Sequence, residues 1–249
     1  MTTEMILAIA VLAILFVLLF FLRIQPARKP GFEGIEDSQA AQAYDRISKW
    51  PPFRVMRWLT VRELRRRQPT GILADIGCGP GLLTTLIAKE FPQLKVFGID
   101  TAQEMIKTAN ANAVSLGFEG RVDFREGNIC NLLLPDHTLD FVVSSLSLHH
   151  WSEPERGLAE IHRALKPGGQ LLLLDTRRDS RLFFYLLMIF ATSIVMPAAM
   201  RKINEPLGSV LASYTPMEIK ELFARSPFKE CSVHSGPAWM FVWGKKEQS

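Results

Sequence analysis

The chain has 249 residues, a formal net charge of +4 and three cysteines. The modest charge, without a recognition motif, excludes a typical nucleic-acid-binding protein. Cys78, Cys130 and Cys231 have neither disulfide-like nor metal-like spacing, which indicates a reduced, cytosolic setting and no metal site. The length suits one α/β domain plus an N-terminal segment, and the sequence contains no internal repeat or low-complexity tract.

The N-terminal segment is apolar without interruption from Met5 to Leu22. A helix of about 18 residues reaches about 27 Å, close to the hydrocarbon thickness of a bilayer. A cleaved signal peptide would carry bases before the apolar run and small residues after it, whereas here Phe20 and Phe21 end the run and Arg23 follows it. We therefore predict that residues 1–24 form a single transmembrane anchor, with the folded domain in the cytoplasm.

Residues 25–68 are predicted to form a linker and N-terminal helices. Pro26, Pro30, Gly31 and Gly34 favour a short linker. Phe53 to Arg67 is rich in arginine and has apolar residues at helical spacing, which predicts a basic amphipathic helix. Its basic face is either solvated or in contact with anionic headgroups, at about 1 kcal/mol for each base.

A glycine-rich turn opens the predicted domain of residues 69–249. The apolar run Ile72 to Ala74 predicts a strand, Asp75 to Gly81 follows it as Asp-Ile-Gly-Cys-Gly-Pro-Gly, and Leu82 to Glu90 predicts a helix. Such a turn lets a ligand approach bare backbone at a helix N-terminus. Gly77, Gly79 and Gly81 do not match the dinucleotide pattern G-x-G-x-x-G, which disfavours a nicotinamide oxidoreductase.

Two further strands end in polar residues. Lys95 to Asp100 predicts a buried strand whose final carboxylate can accept hydrogen bonds from ribose hydroxyls. Thr101 to Glu104 has the spacing of a capping box, so Thr101 is expected to cap the next helix and leave Asp100 free for a ligand. Arg121 to Glu126 predicts a third strand, followed by Gly127, Asn128 and Ile129.

The second half of the predicted sheet brings histidines to the same edge. Leu139 to Ser144 predicts a strand, and His149 and His150 follow it at the ligand-binding carboxyl edge. Ser152 to Glu155 predicts a second capping box and a helix to about Leu165. Lys166-Pro-Gly-Gly169 then ends the helix before a fifth strand from Gln170 to Asp175. Either histidine could act as a general base, with His149 preferred, or one could simply pack and cap the next helix.

A second apolar stretch, from Leu182 to Met200, belongs to an insertion spanning residues 182–202. Bases flank both of its ends: Arg177, Arg178, Arg181, Arg201 and Lys202. Both ends therefore belong on one side of a membrane. The stretch is either a shallow membrane-dipping insertion or a buried lid over a substrate pocket.

The C-terminal part predicts a capped helix and two strands. Thr215 to Glu218 is a third capping box, and Lys229 to His234 and Trp239 to Trp243 predict strands joined by a Gly236-Pro237 turn. Strands that alternate with helices predict a mostly parallel sheet with helices on both faces.

Taken in order from Asp75 to Asp175, these motifs resemble those of class I S-adenosylmethionine (SAM) methyltransferases, in the broad group around the quinone-biosynthesis enzymes. The resemblance covers roughly Tyr44 to Lys246. It implies a Rossmann-like, seven-stranded sheet with a C-terminal antiparallel hairpin, and SAM as the cofactor. The quinone enzymes usually carry an Arg-Asn pair where this chain has Ser147-Leu148, which does not favour a quinone acceptor.

The resemblance also implies roles for individual residues. Asp75 would support the ammonium of SAM, the glycine turn would approach its methionyl part and ribose, and Asp100 would bind the ribose hydroxyls. The expected cofactor-binding residues are Tyr44, Asp75, Gly77, Cys78, Gly79, Gly81, Asp100, Thr101, Asn128, Ile129 and Ser144.

Three functions are compatible with the sequence. The leading one is a membrane-anchored methyltransferase that acts on a lipophilic small molecule or a lipid, with the bilayer as a partner. The second is the same chemistry on a soluble or protein substrate. The third is a SAM-binding assembly protein without turnover. The sequence does not indicate an oligomeric state.

Overall fold

The computed structural model describes residues 2–31 and 35–248. Its strands are β1 (Ile72–Ile76), β2 (Lys95–Asp100), β3 (Val122–Glu126), β4 (Leu139–Ser145), β5 (Leu165–Thr176), β6 (Glu230–Ser235) and β7 (Trp239–Lys245). They form a seven-stranded sheet in the order β3-β2-β1-β4-β5-β7-β6. Strands β1 to β5 pair in parallel, and β7 runs antiparallel to both β5 and β6. The predicted sheet and C-terminal hairpin are confirmed.

Helices cover both faces of the sheet. They are α1 (Thr3–Phe21), α2 (Ser38–Ser48), α3 (Pro51–Arg67), α4 (Leu82–Glu90), α5 (Gln103–Ser115), α6 (Pro154–Ala164), α7 (Leu182–Phe190), α8 (Ala198–Lys202), α9 (Leu207–Ala212) and α10 (Pro216–Ala224). One apolar cluster packs α6 and α10 on the sheet through Ile161 and Phe223. A second packs α3 and α4 on the opposite face through Leu64 and Ile87.

One of the three predicted capping boxes forms. At α10, Thr215 Oγ1 accepts the Glu218 N–H, and a Glu218 carboxylate oxygen accepts the Thr215 N–H. The prediction for Thr101 was wrong, because α5 begins only at Gln103 and Asp100 itself accepts the Ala102 N–H at 3.0 Å. A carboxylate two residues before that N–H reaches it directly.

The second capping box, at Ser152, was also predicted wrongly. Helix α6 begins at Pro154, and Glu153 precedes it without a side-chain cap. Proline is pre-organised for the first helical position, so it sets the start of the helix one residue later. Helix α6 ends at Ala164, next to the predicted end at about Leu165, because Leu165 pairs with Leu139 and begins β5.

Helix α1 stands clear of the sheet. None of its residues is buried, and the mean hydropathy of its most apolar window is 3.0. Three backbone hydrogen bonds fasten the chain after it to the domain: Leu182 N–H to Leu22 O, Ile24 N–H to Ser180 O and Lys29 N–H to Leu211 O, at 2.9, 3.1 and 3.0 Å. The chain from Leu22 to Lys29 is therefore held in place, where the sequence predicted a simple linker. Gly34 of that prediction lies outside the described residues.

The apolar stretch from Leu182 to Met200 forms α7, a π-helical turn (Ala191–Val195) and the start of α8. It lies beside α1, where the rings of Phe20 and Phe183 stack with centroids 4.9 Å apart. Its outer side is exposed: Phe183, Leu186, Leu187, Ile189, Phe190, Ile194 and Val195. Its inner side is buried: Tyr185, Thr192, Met196 and Met200. The stretch is therefore a cover with one packed side and one bare apolar side.

Two of the bases that flank this stretch in the sequence, Arg177 and Arg178, are internal. Arg177 pairs with Asp179 at 2.6 Å, Arg178 pairs with Glu218, and both arginines are buried. These two guanidinium groups are neutralised inside the domain and help to hold it together, so they are not available to lipid headgroups. Arg178 also donates to the Pro26 carbonyl and so secures the chain after α1.

Candidate active site

A cavity of about 750 Å³ opens at the carboxyl edge of the sheet. Its inner wall includes Gly77, Gly79, Asp100, Ile129, His149 and Thr176, which follow the parallel strands. Its outer wall includes Phe20, Phe183, Phe184, Leu187, Phe190 and Val195. One space therefore reaches from the glycine turn to the exposed apolar helices α1 and α7. Open α/β sheets bind their ligands at this edge.

Asp75 carries a buried carboxylate that is only half satisfied. Its side chain is 1% exposed, and its Oδ2 accepts the Thr84 hydroxyl at 2.7 Å. Its Oδ1 has no hydrogen-bond partner within the described residues. The pKa of Asp75 is raised to about 7, mainly by burial; the Thr84 hydrogen bond opposes this shift and the charge of Asp100 adds to it. An unpartnered buried oxygen is costly, so this atom marks a place for a ligand donor such as an ammonium group.

The glycine turn presents bare backbone to the cavity at Gly79. Gly77 and Gly79 both have positive φ, +71° and +51°. A Cβ on Gly77 would lie 2.1 Å from Ser147 Oγ, so packing alone requires glycine there. A Cβ on Gly79 would meet only Tyr44 Cε1, at 3.7 Å, so it would project into the cavity. Tyr44 lies over the turn and packs edge-on against Phe53.

Asp100 holds the glycine turn as well as bordering the cavity. Its Oδ2 accepts the Gly79 N–H at 2.8 Å, and its Oδ1 accepts the Ala102 N–H at 3.0 Å. Each carboxylate oxygen retains capacity for a second donor, such as a ribose hydroxyl. Thr101, the next residue, also lines the cavity. Sequence reasoning found the position of Asp100 but missed its role in shaping the turn.

Five of the expected cofactor residues lie outside the wall of the large cavity: Asp75, Cys78, Gly81, Asn128 and Ser144. Asn128 is exposed and its side-chain oxygen accepts the Cys130 N–H at 2.7 Å, while Gly127 and Ile129 form the wall there. Ser144 is buried inside β4, one residue before the strand end.

Cys78 and Gly81 are packed into the glycine turn. Cys78 borders a smaller cavity of about 70 Å³, and burial raises the pKa of its thiol. Gly81 precedes α4 with φ +72°, and a Cβ there would lie 2.6 Å from Phe124. Their fit is set by packing around the turn. The smaller cavity also touches Asp75, Gly79 and Tyr44, so it adjoins the large one.

His149 is held between β4 and β5. Its Nδ1 lies 2.7 Å from Asp175 Oδ1, and its backbone N–H donates to Asp175 Oδ2 at 3.0 Å. Burial by itself lowers the pKa of His149, but the charges of Asp175 and Glu205 outweigh burial and raise it. His150 also lines the cavity, with its ring centroid 4.1 Å from that of His149.

Sequence reasoning missed Asp175 and Glu205 as site residues. Asp175 is the last residue but one of β5, which pairs with β4, so the reasoning that placed His149 at the carboxyl edge of the sheet applies to Asp175 as well. Glu205 follows α8, is 8% exposed, lines the cavity and accepts the Ser209 hydroxyl at 2.6 Å. Burial raises the pKa of Glu205, and Ser209 and His149 oppose the shift. No periodic signal in the sequence marks Glu205.

Comparisons with known proteins agree with this architecture. Residues 74–173 match the methyltransferase domain family. The chain is 32% identical over 146 residues to a ubiquinone/menaquinone biosynthesis C-methyltransferase of Hydrogenovibrio crunogenus, covering 57% of each chain. It thus spans little more than half the length of that curated relative.

Two solved structures share the fold. A Methanococcus maripaludis protein assigned to the SAM-dependent methyltransferases aligns with a TM-score of 0.68 at 19% identity, covering 87% of this chain and 96% of that one. Phosphoethanolamine N-methyltransferase 2 of Haemonchus contortus, solved with SAM, aligns with a TM-score of 0.61 at 18% identity, covering 85% and 58%.

The seven-stranded fold is shared with these solved structures, and residues 74–173 match a methyltransferase domain. The site has three features that fit SAM as a cofactor. The Asp75 Oδ1 atom, which has no hydrogen-bond partner in the described residues, suits the ammonium group of SAM. The open space beside Gly79 lets the cofactor approach the backbone of the turn. The Asp100 carboxylate can accept further hydrogen bonds from the ribose hydroxyls.

The raised pKa of Asp75 predicts a pH-dependent affinity for SAM. The ionised carboxylate pairs with an ammonium, whereas the protonated form does not. Because the pKa of the folded protein is about 7, above the ordinary 3.8, affinity should rise as pH increases. We expect the Kd to fall about tenfold between about pH 5.5 and 7.5, measured by calorimetry. Asp75→Asn should bind more weakly and without this slope; a flat wild-type profile contradicts the assignment.

Proposed function

We propose that this protein is a membrane-anchored enzyme that transfers a methyl group from SAM to a lipophilic small molecule or a lipid. The observation that carries the proposal is the single cavity that joins the SAM-binding edge of the sheet to Phe20 of α1 and to the apolar side chains of α7. An acceptor with a long apolar part would fill the outer end and place its reactive group near the glycine turn.

The residues of the inner wall suit alignment of two ligands. SAM supplies an activated methyl group, so the protein mainly has to hold an acceptor in line with it. Positioning of this kind can supply about 7–11 kcal/mol of the barrier. Asp75, Gly79 and Asp100 would hold the cofactor, and Tyr44 would cover it. The apolar outer wall would exclude water from the reacting groups.

The arrangement of α1 and α7 supports a membrane as the partner. The 19 residues of α1 span about 28 Å, which matches a bilayer core. Stacking of Phe20 on Phe183 and the backbone bonds at Leu22 make the exposed side of α7 continuous with α1. Exposed apolar areas of this kind in a folded protein mark a partner surface. A lipid surface suits both helices at once.

The position of the bases predicts the orientation of the anchor. Arg23, Arg28 and Lys29 all follow α1, and bases favour the cytoplasmic side. We expect protease added to intact cells or to right-side-out vesicles to leave the domain whole. Protease added after permeabilisation should digest it. Digestion of the domain in intact cells would show that the domain lies outside the cell and would contradict the predicted orientation.

The acceptor class is tested with labelled cofactor. Membranes from cells that produce the protein are incubated with methyl-labelled SAM, and lipid, protein and aqueous fractions are separated. We expect the label in the lipid fraction, and not with the Gly79→Val variant. Label in protein or in a soluble product would favour the second function. SAM binding without transfer to any fraction would favour an assembly protein.

A further inference from the structure

The orientation of His149 is fixed by two contacts with one carboxylate. Nδ1 lies 2.7 Å from Asp175 Oδ1, and the backbone N–H of the same residue donates to Asp175 Oδ2. A carboxylate accepts from a ring N–H, so the neutral ring carries its proton on Nδ1 and its lone pair on Nε2. Nε2 is buried and has no hydrogen-bond partner in residues 2–31 and 35–248, and His149 lines the cavity. The lone pair is therefore available to a molecule in the cavity.

The charged groups around His149 favour its protonated form. Asp175 faces it from β5, and Glu205 faces it from the segment between α8 and α9. Arg28, on the chain after α1, opposes them. The His150 ring lies beside it. Two carboxylates against one guanidinium stabilise an imidazolium once it forms. A ring that can accept a proton and then be stabilised has the properties of a general base.

These features indicate what the acceptor carries. A base is needed only where the acceptor has a proton to lose. The cavity is largely apolar, so an amine that is already charged at neutral pH would lose its hydration there, and the wall carboxylates Asp100 and Glu205 already accept hydrogen bonds from Gly79 and Ser209. A neutral hydroxyl avoids that penalty. A phenolic hydroxyl ionises near pH 10, within reach of an imidazole, whereas an aliphatic alcohol is much less acidic.

We propose that the acceptor is a lipophilic phenol and that the reaction is O-methylation, with His149 as the catalytic base and with Asp175 and Glu205 as positioning residues. This inference rests on the proposed function. Nε2 takes the hydroxyl proton as the O–H bond breaks. The oxygen forms the new bond to the methyl carbon while the carbon–sulfur bond breaks and its electron pair stays on sulfur. The imidazolium then returns its proton to water.

The first test measures proton transfer without turnover. The full-length protein in nanodiscs is saturated with S-adenosylhomocysteine and titrated with 4-butyl-2-nitrophenol, whose phenolate absorbs visible light. We expect the apparent pKa of the bound probe to be at least one unit lower in wild type than in His149→Gln, with Asp175→Asn in between. Exposed His234→Gln is the matched control and should equal wild type. Equal values in all variants, or no binding of the probe, overturn the proposal.

A melting curve and SAM affinity confirm that each variant is folded, and Asp175→Asn carries the test if His149→Gln is unstable. The second test locates the label in lipid methylated by membranes. Label on oxygen supports the proposal, and label on nitrogen or carbon overturns it while leaving the proposed function intact. Absence of label from lipid counts against the proposed function, and the probe titration still decides the role of His149.

The rate of transfer to lipid should depend on pH with a definite sign. The base must be neutral, so the rate should fall as pH drops through the pKa of His149, which is raised above its ordinary value. His149→Gln should lower kcat by at least about 100-fold, the usual contribution of a general base, with the KM for SAM unchanged. If His149→Gln has a normal kcat, His149 is not the catalytic base.

Discussion

Gly79→Val is expected to abolish SAM binding. The φ of Gly79 is +51°, in the left-handed region that disfavours β-branched residues. A Cβ would enter the cavity beside Tyr44 and fill space that the cofactor needs. The shifted turn would also weaken the hydrogen bond from Gly79 N–H to Asp100. We expect at least about a 100-fold loss of affinity, about 2.7 kcal/mol, in calorimetry.

Gly117→Val provides the matched control for Gly79→Val. Gly117 has φ +75°, yet a Cβ there would meet no atom within 4 Å. Both variants therefore carry backbone strain, and only Gly79→Val intrudes on the cavity. Gly117→Val should lower the melting temperature and leave SAM affinity unchanged. If Gly79→Val binds SAM within threefold of wild type, the glycine turn is not the cofactor site.

Removal of α1 is expected to leave a protein that still binds liposomes. Helix α1 contributes no buried residue, so its deletion spares the core. The exposed apolar side of α7 and the π-helical turn remain, and each large side chain that is fully buried in lipid contributes about 1.5–3 kcal/mol. Arg181, Arg201 and Lys202 at the ends of the stretch would add attraction to anionic lipid. Binding in a sedimentation assay should therefore weaken moderately as salt rises.

Substitutions on α7 separate membrane contact from a buried lid. Leu186 and Ile189 are 47% and 46% exposed and do not line the cavity, so Leu186→Glu and Ile189→Glu should reduce liposome binding without lowering the melting temperature. Met217→Glu is the control, because Met217 is 71% exposed on α10, away from this stretch. If the truncated protein stays in the supernatant and the α7 variants melt early, the stretch is a lid and not a membrane contact.

The sheet was predictable because its signal is local and repeated. Apolar runs such as Leu139 to Ser144 and Gln170 to Asp175 end in turn residues and alternate with helical patterns. The helix starts were harder. Capping-box spacing matched at Thr101 and Ser152, but Asp100 and Pro154 determine those two starts instead. Motif spacing does not reveal which neighbouring residue reaches the free N–H groups first.

The site was predictable where it follows a strand. Asp75, Gly79 and Asp100 lie at the carboxyl edge of adjacent strands, so their proximity follows from the parallel pairing. Asp175 obeys the same rule beside β4, although sequence reasoning did not use it. Glu205 reaches the cavity only because short helices fold back over the edge. Tertiary packing of that kind leaves no pattern in the sequence.

Entry of the acceptor into the site through the bilayer is tested most directly by diluting the acceptor within the membrane, a surface-dilution experiment. The full-length protein is reconstituted in vesicles with a lipid extract of its own membranes and methyl-labelled SAM. Inert phospholipid is then added to the vesicles while the total amount of extract stays constant. We predict that label enters lipid and that the rate falls in proportion to the dilution within the membrane. A rate that does not change with dilution, or label found in protein or water-soluble product, contradicts the account.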